Sequence, residues 1–350
     1  MTDTGEVIIR AIDPRAISEE DIVAGNEFGN KMEAESHPED PPTSLEMARV
    51  SVRNIPDFVE IKIFRAVDRG GMVVGSANAS WALTDENQHL ANASVRVLPE
   101  FRRRGIATML LRSVVDAVEG SGRRLILSTT SERVPAGEAF AQRVGAERAF
   151  AGHLNRLDLA KVDRGLVRRW IEEGPGRAPG YSLVPIDGPY PDDLVDDIIE
   201  VHHVMNDAPR DDLDMEDSKL TVEQMREIEK SMLAAKTERW AIFARHDESG
   251  RLVGLTDVAW NPEQRETVWQ GNTGVSREHR GHALGKWLKA VMLQRILDER
   301  PYAKDVRTGN ADSNDAMLGI NKQLGFEHYI ADTGWQVSVE KLRAYVDDKI

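Results

Sequence analysis

The sequence predicts a mixed α/β fold made of two tandem, pseudo-symmetric units, each a mixed sheet flanked by helices. Three observations carry that expectation. The chain has 350 residues, more than one hydrophobic core usually organises. Short words recur at a near-constant offset: Val74-Gly75 and Trp81 return as Val253-Gly254 and Trp260, Val97 and Arg102 as Val275 and Arg280, and Gly145 as Gly325. A register kept over several elements marks an internal repeat. Within each copy, paired apolar stretches come first and alternating strand and helix patterns follow, the order of a mixed sheet.

In the first copy, residues 61–67 and 72–81 are apolar stretches separated by Asp68-Arg69-Gly70-Gly71, a hairpin signal. A third strand is expected over 89–98, then a helix over 106–118 with apolar residues at helical spacing. A buried strand over 124–128 and a helix over 136–144 complete the unit. The second copy reads likewise, with strands at 240–244, 252–260 and 267–276, a helix at 284–297, a strand at 305–308 and a helix at 315–324. Residues 17–54 and 191–236 read as helical with acidic loops before each hairpin. Residues 161–173 look helical, and Gly174-Pro175-Gly176-Arg177-Ala178-Pro179-Gly180 has the composition of a linker. The expected division is 1–160, a helix and linker over 161–180, and 181–350.

Composition narrows the function classes. No apolar run approaches the roughly 20 residues of a membrane helix. The opening stretch MTDTGEVIIRAIDP lacks the apolar core of a secretion leader, so a cytoplasmic protein without membrane partners is expected. There is no cysteine, which removes disulfides, thiolate metal sites and cysteine nucleophiles. A net charge of −14 argues against a nucleic-acid partner, whose phosphates need a basic face, and suits a cationic substrate. The aspartates of 207–214 lack the spacing of a calcium loop, so no metal is expected.

The chemistry concentrates where the third strand meets the following helix. Val97-Leu98-Pro99-Glu100-Phe101-Arg102-Arg103-Arg104-Gly105-Ile106-Ala107 brings glycine, arginines and a helix N-terminus together, and unpaired N–H groups there favour a phosphate. It is neither a P-loop nor a dinucleotide fingerprint, since both glycine spacings are missing.

Arg102-x-x-Gly105-x-Ala107 behind a valine-rich strand resembles the pyrophosphate-binding motif of the GNAT superfamily of N-acetyltransferases. The resemblance implies acetyl-CoA as co-substrate. Val95 and Val97 would line its pantetheine arm, and Arg102, Arg103, Arg104, Gly105, Ile106, Ala107 and Thr108 its diphosphate. The second copy resembles the same motif through Val275, Arg280, Gly281, His282, Ala283, Leu284, Gly285 and Lys286, with Ala283 where the family usually has glycine. Downstream, Asn310-x-x-Ser313-Asn314-x-x-Met317-x-x-x-Asn321 resembles the family's next motif. There Asn314 would approach the coenzyme, and Asn321, in the place of a tyrosine that commonly protonates the departing thiolate, is a candidate catalytic residue facing the presumed thioester region. Ala141 holds that place in the first copy, so neither half has that acid. The layout is that of tandem, two-domain members.

Acetyl transfer to an amine needs a base to neutralise an alkylammonium and a donor at the thioester oxygen. Glu86 and His89 are candidate bases in the first half; Asp257, Glu266, His202 and His203 are candidates in the second. The leading expectation is an N-acetyltransferase for a small-molecule amine, acting by direct transfer in a ternary complex. A non-catalytic acetyl-CoA-binding sensor and a protein N-acetyltransferase are the alternatives.

Overall fold

The computed structural model describes residues 7–349, so residues 1–6 of the opening stretch lie outside the described residues. The first repeat runs β1 (Ile8–Ile12), α1 (Glu19–Ser36), α2 (Leu45–Arg53), β2 (Val59–Val67), β3 (Val73–Ala82), β4 (Leu90–Val97), α3 (Ile106–Gly120), β5 (Leu125–Ser131) and α4 (Pro135–Arg143). Serines set the first helices: Ser18 Oγ accepts the Asp21 N–H at 3.1 Å and Ser44 Oγ the Met47 N–H at 3.1 Å. Asp68 shapes the β2–β3 hairpin by accepting the N–H groups of Gly70 and Met72. Along α3, Ile106, Leu110, Leu111, Val114, Val115 and Val118 recur at three- and four-residue spacing, and all are buried against β2, β3 and β4.

The second repeat follows β6 (Glu147–Asp158) with α5 (Arg164–Arg177), β7 (Tyr181–Asp187), α6 (Val195–His202), α7 (Val222–Ala234), β8 (Glu238–His246), β9 (Leu252–Trp260), β10 (Thr267–Val275), α8 (Leu284–Glu299), β11 (Asp305–Ala311), α9 (Asp315–Leu324), β12 (Glu327–Ser338) and α10 (Val339–Asp347). Here α8 is buried along most of its surface, between the sheet and α5, which is why its sequence shows little amphipathic pattern. Trp240, Ile242 and Ala244 of β8 share its core, whereas Ala241, Phe243 and Leu255 pack with α6 on the other sheet face.

The two compact units do not coincide with the two repeats. The first holds the residues through Ala151, Asp211–Glu216 and those from Asp332 onward; the second holds Gly152–Arg210 and Asp217–Ala331. In the first, strand order is β1-β2-β3-β4-β5, and residues 332–338 of β12 then pair antiparallel with β5, Trp335 opposite Ser128. In the second, the order is β7-β8-β9-β10-β11, and residues 152–158 of β6 pair antiparallel with β11, Arg156 opposite Arg307. The helix after each of these strands goes with it: α10 packs on α3 and α5 on α8. Each unit therefore takes its sixth strand and one helix from the other repeat's side of the sequence. The expected division at 160 and 181 gives way to crossings inside β6 and β12.

The expected linker is also corrected. Gly174, Pro175 and Gly176 lie within α5. A Cβ on Gly174 would fall 2.4 Å from the Trp287 ring, so this glycine permits a close helix–helix approach rather than flexibility.

Candidate functional site

Both strand-to-helix loops have one construction. In the first unit β4 pairs with β5 only over Leu90–Asn92, and in the second β10 pairs with β11 only over Thr267–Trp269. Beyond those residues the parallel strands part and leave a cleft that ends at the helix N-terminus. Each loop needs two residues in the left-handed region. In the first unit these are Arg103 (φ 61°) and Gly105 (φ 83°); in the second they are Gly281 (φ 90°) and Ala283 (φ 57°). The glycine has changed places, and Ala283 holds the same turn that Gly105 makes.

Arg102 and Arg280 brace the loops. Arg102 Nε donates to the Val97 carbonyl at 3.0 Å and its guanidinium pairs with Glu35. Arg280 Nε donates to the Val275 carbonyl at 2.9 Å, with Asp207 as its carboxylate at 2.7 Å. Expected on the diphosphate, both guanidiniums instead fix the loop that presents the N–H groups. At the helix start, Ile106 and Ala107 in one unit and Leu284 and Gly285 in the other supply N–H groups without intrahelical acceptors. Val97 is buried and Val95 packs at the edge of the same core.

In the second unit this loop lines a cavity of about 830 Å³, within the range of small-ligand sites. Its walls are Thr273, Gly274 and Val275 of β10, residues of 279–287, Ser313 to Met317 and Ile320 around α9, and Val204, Met205 and Pro209. Trp170 and Gly174 of α5 close it behind. Asn314 stands at the wall and caps α9, accepting the Met317 N–H at 3.2 Å.

Asn321 lies elsewhere. It is 2% exposed and donates to Asn310 Oδ1 at 2.8 Å, tying α9 to β11 behind the cavity wall. Its own Oδ1 is buried without a partner. Ala141, its counterpart, is buried in the first unit. Glu266 directly precedes β10 at its paired end, 57% exposed and bonded to Lys304 at 2.8 Å, away from the parted strands.

Asp257 is differently placed. It sits on β9 opposite a bulge in β10, where the register slips between Gln270 and Thr273. Asp257 Oδ1 accepts the Asn272 N–H at 3.2 Å, and Gly271 is glycine because a Cβ would meet that oxygen at 2.1 Å. Burial pushes the carboxyl up to about 6, opposed by the Asn272 hydrogen bonds and by Arg239.

On the same sheet face a buried polar network surrounds it. Arg239 lies over the Tyr190 ring at 3.5 Å and donates to Glu229 at 2.6 Å and the Gly188 carbonyl at 2.8 Å. Burial would raise the Glu229 carboxyl, but the Tyr190 N–H, Arg226 and Arg239 hold it below the usual range. Tyr190 Oη lies 3.3 Å from His202 Nε2. Burial, with Arg239 and His203 nearby, pulls His202 down to about 4, so it is neutral at pH 7. His203 Nε2 is buried without a partner. Sequence reasoning named Asp257 and His202 as candidates but not Tyr190, Glu229 or Arg239, which no local pattern brings together.

The first-half candidates are engaged in packing. His89 Nε2 lies 3.1 Å from the Asp214 carbonyl, and Asn87 and Glu216 exchange hydrogen bonds at 2.8 Å. Residues 211–216 of the acidic run thereby dock on the first unit, while Asp207 of the same run braces Arg277 and Arg280 in the second. Glu86 is buried. Among the described residues no group of three or more side chains is arranged for a metal ion, and no helix is long and apolar enough to cross a membrane.

Residues 33–146 match the model of the acetyltransferase (GNAT) family. Among solved structures, a tandem GNAT protein from the clavulanic acid biosynthesis pathway is similar over 95% of this chain and 99% of its own, with a TM-score of 0.76 and 25% identity. A GCN5-related N-acetyltransferase from Sphaerobacter thermophilus aligns over 95% and 96% of the two chains, with a TM-score of 0.65 and 14% identity. A comparison with the curated proteins finds no match.

Proposed function

We propose that this chain, a tandem protein of the GNAT acetyltransferase fold, transfers an acetyl group from acetyl-CoA to a small-molecule amine, and that its second unit does the chemistry. The observation that carries the reading is the cavity of about 830 Å³ where the parted strands, the N–H groups of the α8 start and the Asn314 cap converge. The residues present fit a coenzyme A thioester. Thr273, Gly274 and Val275 offer a strand edge to a pantetheine amide, and Leu284 and Gly285 offer N–H groups to a diphosphate. The co-substrate supplies an activated acyl group; the protein supplies position and proton handling.

Asp257 is the general base in this reading. A carboxyl near 6 is ionised at neutral pH yet basic enough to take a proton from an alkylammonium through water. Arg239 keeps it charged, and the Asn272 N–H aims it at the bulge. A backbone N–H of the bulged stretch 271–274 is the donor for the thioester oxygen. Neither unit has a tyrosine at the family's usual position, which Ala141 and Asn321 hold. A thiol with pKa of about 8.5 departs tolerably as thiolate without one.

Incubation with acetyl-CoA, a panel of primary amines and a thiol reagent tests the proposal. Amine-dependent release of free thiol supports it. Saturable acetyl-CoA binding with no turnover on any amine would favour the sensor reading, which the absent tyrosines keep open.

A further inference from the structure

We propose that Tyr181, His246, His279 and His282 form a titratable anion subsite at the mouth of the second unit's cavity, holding a phosphate of the acyl donor more tightly as the pH falls. It rests on the coenzyme reading of that cavity. The four rings come from separate places in the chain: Tyr181 begins β7, His246 ends β8, and His279 and His282 flank Arg280 before α8. Tyr181 Oη lies 2.9 Å from His279 Nδ1. Its ring centroid is 5.3 Å from those of His246 and His282, and His246 and His279 are 5.1 Å apart. His279 lines the cavity itself.

The first unit provides an internal comparison. At the same loop positions it has Phe101 and Arg104, with the guanidinium over the ring at 5.1 Å. A permanent cation on an aromatic ring has been replaced by two imidazoles, and β7 and β8 add a tyrosine and a third imidazole. Other charges around the cluster are committed or opposed. Arg280 is held by Asp207 at 2.7 Å, Lys286 by Gln323 at 3.0 Å, and Arg177 of α5 by Glu173 at 2.8 Å. Asp247 accepts from Ser182 at 2.7 Å, and Ser249 Oγ lies 2.9 Å from His246 Nδ1.

Burial, His246 and His282 depress protonation of His279, with Glu278 opposing. In the empty cluster His279 is therefore harder to protonate than an ordinary histidine. A bound phosphate favours the imidazolium forms and raises their pKa, so binding takes up protons. Affinity rises as pH falls through the window between the bound and free values, and levels off below it.

Isothermal titration of acetyl-CoA and its 3′-dephospho analogue, from pH 5.5 to 8 in buffers of different ionisation enthalpy, tests this. An Ala107→Asp background keeps the first unit's loop out of the signal. The His279→Phe/His282→Arg variant recreates the first unit's chemistry. The unsubstituted cluster should bind about tenfold more tightly at pH 5.5 than at pH 8 relative to the variant, with more proton uptake than the variant, which keeps only His246 of the three imidazoles. A pH trend lost with the dephospho analogue assigns the 3′-phosphate; one retained assigns the diphosphate. Matching pH profiles and equal proton uptake in both proteins would overturn the subsite and leave the coenzyme reading intact. Absence of binding by either at any pH would overturn the coenzyme reading, and the subsite with it.

Discussion

Asp257 and Lys289 are both ionisable groups held against burial, with opposite consequences. With Asp257 as the proposed base, kcat/KM should fall about tenfold per pH unit below about 6. Asp257→Asn should lower kcat by roughly 10²–10⁴ and abolish that acid limb, as a pH–rate profile of the folded variant will show. Lys289 lies fully within the α8 core, its Nζ 5.2 Å from the Phe326 ring centroid, and burial pulls it down to about 7. Between that value and the ordinary lysine range the unfolded chain binds the extra proton, so stability rises with pH across this window. Lys289→Met should remove the slope and stabilise the protein by a few kcal/mol at pH 7. Urea titrations at pH 7 and 9, followed through tryptophan fluorescence, check both. At this scale local words picked out residues that line the second unit's cavity, Asn314 and Gly285 among them. They misled at Asn321, whose polar group ties two elements together, and at Arg102 and Arg280, which bond back to the strand they follow.

Elements were legible wherever burial on one face left a period in the sequence, as in α3, and wherever a turn residue was required, as at Asp68. The stretch 174–180 was misread because glycine and proline carry two meanings. At Gly174 the missing side chain makes room for Trp287. Gly174→Val should therefore cost about 1–3 kcal/mol or more by overpacking the α5–α8 contact, whereas Gly176→Ala, with open space at its Cβ, should be neutral or slightly stabilising. Thermal unfolding of the pair separates a packing glycine from a flexible one. The exchanged strands were beyond sequence reasoning for another reason. Residues 125–131 pair with residues 332–338, and alternation of apolar residues marks a strand without naming its partner.

At the scale of the whole molecule, two repeats of one sequence pattern have diverged in what they present. Both keep the parted strands, the braced loop and the left-handed turn. The second presents a cavity of about 830 Å³, the capped α9 and the carboxylate beside the bulge, while in the first His89 and Asn87 are taken up by residues 211–216. The central claim is that acetyl transfer belongs to the second unit, and a matched pair of helix-start variants tests it most directly. An aspartate in the first turn suits the helix dipole but repels a diphosphate, so Gly285→Asp and Ala107→Asp occupy equivalent positions with little disturbance expected to either helix. With an amine substrate in hand, turnover should fall at least a hundredfold, ~3 kcal/mol, in Gly285→Asp and stay within about twofold of the parent, under ~0.5 kcal/mol, in Ala107→Asp. Loss of turnover in Ala107→Asp, with Gly285→Asp folded and fully active, would contradict the account.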